Sequence, residues 1–421
     1  MRFSIPLPLL ALVCSSAIAT AEPLDTAPTT ETLAHLVEEA RAARVKGDVP
    51  NWVRLGTKVL TLTPDHPDIL ISVARAHAAA GNKAESLAIL GDAVRRGAGL
   101  DPARFAEFKS FAGDDQFTAI AAGAKQNLAP IAKATAFAKL PEGESEGIAF
   151  DPVSKRFFAG TGNGKLLAIN QEGKVSTFAS GGGLRQILGI KVDAARRLVW
   201  LVTGRYPEAD APADGGTGGI RAYNLDSGAI VTTIEVDERP ILHGFNDLAL
   251  AEDGTVYVTD TNRNSVYKLA PGSKTLELLL QDSRMTFPNG IVLTPDQRTL
   301  YIAHVEGISA IDVGTGSRKL LNVPADASAN SIDGLLLHKG QLYGVQNSPY
   351  LDRIVGIALS PDGTSVQRIW TVSSHTPMGL SHTTAAIAGD HLYMIGGTPQ
   401  PDVYGGTNLA KPDSGIWRVP L

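Results

Sequence analysis

One phrase recurs six times along the 421 residues, and it limits the possible folds more than any other feature. The copies are "EGIAFDPVSKRFFAG", "LGIKVDAARRLVWLV", "NDLALAEDGTVYVTD", "NGIVLTPDQRTLYIAH", "DGLLLHKGQLYGVQN" and "TTAAIAGDHLYMIGG". They begin at Glu146, Leu188, Asn246, Asn289, Asp333 and Thr383, with offsets of 42, 58, 43, 44 and 50 residues. Each holds an apolar run, a turn, and a second apolar run. Runs such as "KRFFAG", "TVYVTD" and "QLYGVQN" are rich in β-branched and aromatic residues and bounded by Gly, Asp, Asn and Pro, which is strand chemistry. Each copy continues into another hairpin, as in "SVYKLAPGSKTLELLL". About four strands per unit at periods in the forties predict a β-propeller, and six copies predict six blades. "GRYPEADAPADGGTGG" in the long second unit reads as a surface insertion. "ATAFAKL" ahead of the first blade is expected to pair with "IWRVPL" at the end, closing the ring so that no long sheet edge is left unpaired.

The period changes ahead of residue 130. "TETLAHLVEEARAARVKGD" sets Leu33, Leu36, Ala40 and Ala43 on one helical face. "DILISVARAHAAAGNKAESLAILGDAVRRGAG" reads as two helices joined at Gly81-Asn82, with Ala74, Ala78 and Ala84 permitting close packing. Paired helices, small residues at the crossings and "TPDHP" between units resemble tetratricopeptide repeats, near 31–64, 65–98 and 99–128. Two roles stay open: a groove for a protein partner, or a helical cap on the neighbouring domain. The fold class is mainly β, a six-bladed propeller over 137–421 preceded by a small helical domain over 28–130.

Residues 1–21 read as a secretory leader. Arg2 precedes an apolar core, and Ala19-Thr20-Ala21 is the small-residue cleavage pattern, with the cut before Glu22. The apolar run is too short to span a membrane comfortably. The expected location is periplasmic or extracellular. The single cysteine, Cys14, lies in this leader, so the mature chain offers no disulfide, thiolate zinc site or cysteine nucleophile. Charged residues make up 19% of the chain and the net charge is -5, which leaves no basic footprint for nucleic acid.

The repeat assigns a place to Asn289. In a propeller the innermost strand of each blade runs along the central axis, so its opening residue sits at one mouth of the tunnel. The six opening residues form a ring of Glu, Leu, Asn, Asn, Asp and Thr. Taken singly, Asn-Gly and Asp-Gly are turn dipeptides. Four residues with carbonyl or carboxylate oxygen in one phase of a repeat are harder to assign to turns. Converging oxygens suit a hard divalent cation, Ca²⁺ best, with Mg²⁺, Mn²⁺ or Zn²⁺ as alternatives. His243 and His382 lie beside ring positions and could move protons near neutral pH, or serve their loops. "GTGNGK" departs from the phosphate-loop spacing and reads as a hairpin turn. No Gly-x-Ser-x-Gly elbow is present, which argues against a serine hydrolase.

The motifs "EGIAFDP", "FNDLALAEDGTVYVTD", "FPNGIVLTPDQRTLYIAH" and "SIDGLLLHKGQLYGV" resemble the gluconolactonase / senescence-marker-protein / luciferin-regenerating-enzyme-like family over about 137–421, with a more distant likeness to paraoxonases and strictosidine synthase. The resemblance implies that Glu146, Asn289 and Asp333 ligate one divalent ion and that Asn246 binds the ion or the substrate. It implies an activity that opens lactones or cleaves other esters. Ile148 and Phe150 depart from the family's "EGPxW", and Leu188 adds no polar group. The basic residue that grips a sugar acid has no clear match, although Arg185 lies nearby in sequence.

Chemistry at such a site would begin with the ion polarising a lactone carbonyl, and a nearby water would attack. Asp333 could be ligand and proton acceptor, with Asp247 and Asp260 as alternative bases. Asp260, His304 and Asn347 end the strands that return to the same mouth, which makes them candidates for contact with the site. Arg185, His243 and His382 are candidate substrate contacts. The other readings are a non-catalytic propeller that binds a ligand or protein around a structural calcium, and a condensing enzyme of strictosidine-synthase type, for which no catalytic glutamate can be placed.

Overall fold

The period-two runs become the strands of six four-stranded antiparallel sheets. In the computed structural model the described residues are 32–131, 134–141, 145–205, 217–374, 382–396 and 414–421. The expected leader, with Cys14, and most of the expected insertion in the second unit lie outside them.

Five α-helices come first: α1 (Leu33–Lys46), α2 (Val49–Leu62), α3 (Pro67–Ala79), α4 (Lys83–Arg95) and, after two short 3-10 turns, α5 (Asp115–Asn127). Their ends follow local chemistry. Thr32, Asp48 and Asp114 accept backbone N–H bonds at the starts of α1, α2 and α5, and Gly47 ends α1 with φ 71°. The helices bury two apolar clusters, one around Leu90, Phe108 and Phe117, the other around Leu36, Trp52 and Val59.

Strand β1 (Thr135–Lys139) pairs with the last strand, β24 (Gly415–Pro420), beside β23 (His391–Gly396) and β22 (Ala385–Ala388). The ring therefore closes through the two ends of the propeller sequence, as expected. Blade 1 is β2 (Ser145–Asp151), β3 (Arg156–Thr161), β4 (Lys165–Ile169) and β5 (Val175–Ser180). Blade 2 is β6 (Gln186–Asp193), β7 (Leu198–Arg205), β8 (Thr217–Asn224) and β9 (Ile230–Val236). Blade 3 is β10 (Phe245–Leu250), β11 (Val256–Asp260), β12 (Ser265–Leu269) and β13 (Glu277–Gln281). Blade 4 is β14 (Ile291–Leu293), β15 (Thr299–His304), β16 (Gly307–Asp312) and β17 (Arg318–Leu320). Blade 5 is β18 (Ile332–His338), β19 (Gln341–Ser348), β20 (Leu351–Leu359) and β21 (Val366–Ser374). "GTGNGK" is the β3–β4 turn, where the Thr161 hydroxyl accepts from the Lys165 N–H at 2.9 Å.

Six apolar clusters lie between neighbouring blades, one for each junction of the ring. Each fully buried Leu or Ile in them contributes about 1.5–3 kcal/mol. Both faces of an inner strand are thus covered, which explains why the inner runs are more apolar than the outer ones. The outermost strands β5 and β13 are largely exposed.

The inner strands meet around the axis at one repeated point. In blades 1, 2, 3 and 5 the pairing of first and second strand breaks register at Glu146-Gly147, Leu188-Gly189, Asn246-Asp247 and Asp333-Gly334. Such bulges free a residue from the ladder and re-aim it. The glycine that follows four of the six ring residues is a close-approach glycine. A Cβ on Gly189 would stand 2.6 Å from the Cα of Asp247, and one on Gly334 2.7 Å from the Cα of Thr384. A Cβ on Gly147 or Gly290 would meet the carbonyl of Leu188 or Asp333. None of these four has a positive φ. The "NG" and "DG" pairs are therefore set by packing of one blade on the next, and turn conformation does not explain them.

The helical layer docks on the mouth of the tunnel at blades 4 and 5. Val305, after β15, joins the cluster of α1–α3, and Tyr350, between β19 and β20, joins the cluster of α3–α5. Gly99 N–H donates to the Tyr350 carbonyl at 2.9 Å. Arg96 donates to the Ala327 carbonyl at 2.7 Å, and half-buried Arg353 donates to the Arg96 carbonyl at 3.2 Å. The cap arrangement is what these contacts describe.

Gly290→Ala is expected to lower stability by about 1–3 kcal/mol, because the added methyl overpacks the junction of blades 4 and 5. Gly314→Ala, whose Cβ would have ordinary contact at 3.5 Å, serves as the control and should stay within about 0.5 kcal/mol. Denaturant unfolding of the two variants measures both.

Candidate metal centre and active site at the tunnel mouth

The six ring positions close on one another at one level of the tunnel. Lys191 in blade 2 reaches Asp247 in blade 3 at 2.8 Å. The Thr259 hydroxyl of blade 3 donates to the Asn289 carbonyl of blade 4 at 2.9 Å. Gly290 N–H of blade 4 donates to the Asp333 carbonyl of blade 5 at 2.9 Å, and Gly334 N–H to the Thr383 carbonyl of blade 6 at 2.8 Å. The Thr383 hydroxyl donates to the Glu146 carbonyl of blade 1 at 3.2 Å, and Glu146-Gly147 abuts Leu188 of blade 2. Residues scattered over more than two hundred positions of sequence thus form a single ring.

Two of the ring side chains, Asn289 and Asp333, touch directly, and Asn347 joins them. Asp333, 6% exposed, accepts from the Asn347 amide at 2.6 Å and is hydrogen-bonded to the Asn289 side chain. A cavity of about 20 Å³ lies against this group, lined by Phe287, Asn289, His304, Val305, Ser331, Ile332, Asp333 and Asn347. That is room for a water or an ion, since one water needs roughly 10–15 Å³ by this measure. Burial pushes the Asp333 carboxyl up to about 7. The two amides pull it down, and the nearby Asp247 charge adds to the rise. Among the described residues Asp333 forms no ion pair.

Glu146 and Asn246 hold the corresponding positions in blades 1 and 3. The Gln186 amide lies 3.5 Å from the Glu146 carboxylate, and the Asn246 amide donates to Thr261 at 3.3 Å. Asp247 is paired with Lys191 and also accepts the Leu248 N–H at 2.8 Å, so its carboxylate is already engaged. Asp260 is fully buried and holds the loop before β10, accepting from Gly244 N–H at 2.8 Å and lying 2.6 Å from His243 Nδ1. Burial lowers the His243 pKa, but the Asp260 and Glu238 carboxylates outweigh it and leave it above the ordinary value. His304 lines the cavity while its ring nitrogens meet Glu306 and Ser309, both at 2.7 Å. His382 Nδ1 lies 3.0 Å from Asp352, and its buried Nε2 has no partner among the described residues. Arg185 is bonded to Thr217 and pairs with Glu235 at 2.6 Å. Of the expected metal positions only Asn289 and Asp333 line this cavity; Glu146 and Asn246 do not, and neither do Asp247, Asp260, His243, His382 and Arg185.

Residues 213–369 match the SMP-30/Gluconolactonase/LRE-like region. The matched stretch contains Asn246, Asn289 and Asp333 and leaves Glu146 outside it. No curated protein matches the sequence. Among solved structures, a luciferin-regenerating enzyme aligns over 70% of this chain and 96% of its own, at 15% identity and TM-score 0.50. A gluconolactonase from Xanthomonas campestris aligns over 68% and 89%, at 19% identity and TM-score 0.48. A PQQ-bound aldose sugar dehydrogenase from Streptomyces coelicolor aligns over 69% and 99%, at 14% identity and TM-score 0.48. At these identities the likeness is one of fold.

The donor set fits a hard cation. Among the described residues no group of three or more His, Cys, Asp and Glu could hold a metal, so amide oxygens must complete any shell. Two carboxylates with asparagine oxygens are calcium chemistry, and the lack of imidazole or thiolate in the ring disfavours zinc. A buried carboxylate with no cationic partner is the feature that a bound cation would satisfy.

The sequence reading passed over Lys191 and Gln186. A lysine inside the apolar inner run "LGIKVD" was the available signal for the first. For the second no signal stood out.

Because the Asp333 pKa is raised above the usual carboxylate value, the native state binds more protons than the unfolded chain between about pH 4 and 7. Its cost to stability therefore grows from about pH 4 and is complete above pH 7. In chelator, Asp333→Asn should melt close to wild type at pH 4 and increasingly above it up to pH 8, by about 2–4 °C per kcal/mol relieved. A difference independent of pH would count against the assignment.

Proposed function

We propose that the protein is an exported lactonase that depends on one divalent cation, Ca²⁺ in the first instance, held at the tunnel mouth by Glu146, Asn289 and Asp333 with Asn246 as ligand or substrate contact. The observation that carries this is Asp333: a buried carboxyl with pKa near 7, flanked by two amides, against a cavity the size of one water or ion. The match over 213–369 supports the substrate class, and the leader at 1–21 supports export.

When bound, the cation would polarise the lactone carbonyl and favour charge on its oxygen. Asp333, ionised while it holds the cation, would be the proton acceptor for the attacking water. It removes one proton from the attacking water as the new O–C bond forms. It returns that proton to the ring oxygen as the C–O bond breaks, giving the hydroxy acid. Asn289 and Asn347 fix the orientation of the carboxylate. Lys191 neutralises Asp247, which limits repulsion when Asp333 ionises. His304, tied to Glu306 and Ser309, forms a wall of the cavity.

A second reading, a non-catalytic propeller with a structural calcium, is favoured by the helical layer on the mouth, which restricts the approach to blades 4 and 5. The tetratricopeptide-like hairpins would then present a surface to a protein partner.

One experiment separates the two. The purified protein is titrated calorimetrically with Ca²⁺ and Mn²⁺ between pH 6 and 8, then assayed on sugar, aliphatic and homoserine lactones with and without chelator. Affinity should rise up to tenfold per pH unit below 7 and level off above it, because the ligand must be ionised. Turnover should disappear with chelator and return with the ion, and Asp333→Asn should lose at least about a hundredfold. Ion binding without turnover on any lactone would favour the second reading. Turnover indifferent to chelator would overturn the first.

A further inference from the structure

We propose that the helical layer is a positioning clamp for the mouth, in which Asp68 acts through Ser348 to hold Asn347, and with it Asp333. The proposal rests on the mouth being the functional site, and it assigns the helices a role there.

The line of contacts is short. Asp68 lies in the first turn of α3 and is buried. Its Oδ1 accepts from the Ser348 hydroxyl at 3.0 Å. The Ser348 oxygen also accepts from Tyr350 N–H at 3.3 Å and Leu351 N–H at 3.0 Å, so it shapes the turn between β19 and β20. The preceding residue is Asn347, whose amide bonds Asp333 at 2.6 Å and whose N–H donates to the Ser331 carbonyl at 3.1 Å. Ser331 is itself held by the helices, its hydroxyl 3.4 Å from His66 Nε2.

The other segments that carry mouth residues are held in the same way. Phe287 packs on the α1–α3 cluster two residues before Asn289, and Val305 joins that cluster directly after His304. Phe287 and Ser331 have φ of 52° and 57°. Non-glycine residues occupy this region only where surrounding structure over-determines them, and a bulky phenylalanine especially so. At both positions the helical layer supplies surroundings of that kind. Blades 1 to 3 receive their alignment from the contacts between neighbouring blades. The half of the ring carrying Asn289, Asp333 and Asn347 is held in addition from outside.

A layer that merely adds stability would behave differently, and the docking surface itself provides the control. Arg96 bonds the Ala327 carbonyl, a docking contact separate from the Asp68–Ser348 bond. The full-length variants Asp68→Ala, Ser348→Ala, Asp68→Asn and Arg96→Ala are compared with wild type well below their melting temperatures. Mn²⁺ affinity is measured by calorimetry and amide exchange by mass spectrometry. Asp68→Ala and Ser348→Ala should weaken Mn²⁺ binding at least tenfold and speed exchange across 331–348, leaving blades 1 and 2 unchanged. Asp68→Asn keeps an acceptor for Ser348 and should restore both readouts. Arg96→Ala should lower the melting temperature without changing either. Wild-type affinity and local exchange in Asp68→Ala and Ser348→Ala, alongside a lowered melting temperature, would overturn the clamp. If wild type binds no Mn²⁺, the metal reading fails, and the exchange comparison alone decides the clamp.

Discussion

Neighbouring inner strands approach so closely around the axis that a methyl group has no room after four of the six ring residues. That approach is the constraint on which the rest depends. It fixes the level at which each blade breaks its ladder, and so the level at which the opening side chains turn inward. Backbone bonds from Gly290 to Asp333 and from Gly334 to Thr383 then tie blade to blade at the same height. The apolar clusters between blades supply the driving force, while the ring sets the register.

A site assembled this way draws on groups far apart in the chain, and burial gives them their chemistry. Asp333 lies deep enough to lose most of its hydration, and its amide neighbours compensate only in part. Asp247, equally buried, is neutralised by Lys191 from the next blade. Two carboxylates at one mouth are thus separated into a paired one and one that lacks a cation. The same contrast explains why Asp260 and His304 are poor candidates for free acid–base work. Each is satisfied within its own blade, by His243 and Gly244 or by Glu306 and Ser309.

Much of this was legible in the sequence, because a propeller repeats both its pattern and its phase. Period-two runs such as "TVYVTD" gave the strands, and the common phase of Asn246, Asn289 and Asp333 gave the ring. Pairing of "ATAFAKL" with "IWRVPL" followed from the need to close the edge. What a single repeat cannot encode is contact across blades. Lys191 with Asp247 depends on side chains of neighbouring blades meeting in a geometry that no local pattern records. The glycine after four of the ring residues looked like turn chemistry because "NG" and "DG" commonly are; the true cause, the backbone of the next blade, lies roughly forty to sixty residues further along the chain. The placement of the helices over blades 4 and 5 was equally hidden, since Asp68 and Ser348 stand 280 positions apart.

The most direct test of the ring as a cation site is an anomalous difference map from crystals soaked in Mn²⁺. The account predicts one dominant peak on the propeller axis, in direct bonding contact with oxygens of Glu146, Asn289 and Asp333. A ring without a peak at saturating Mn²⁺, or a dominant peak bound elsewhere on the molecule, would contradict it.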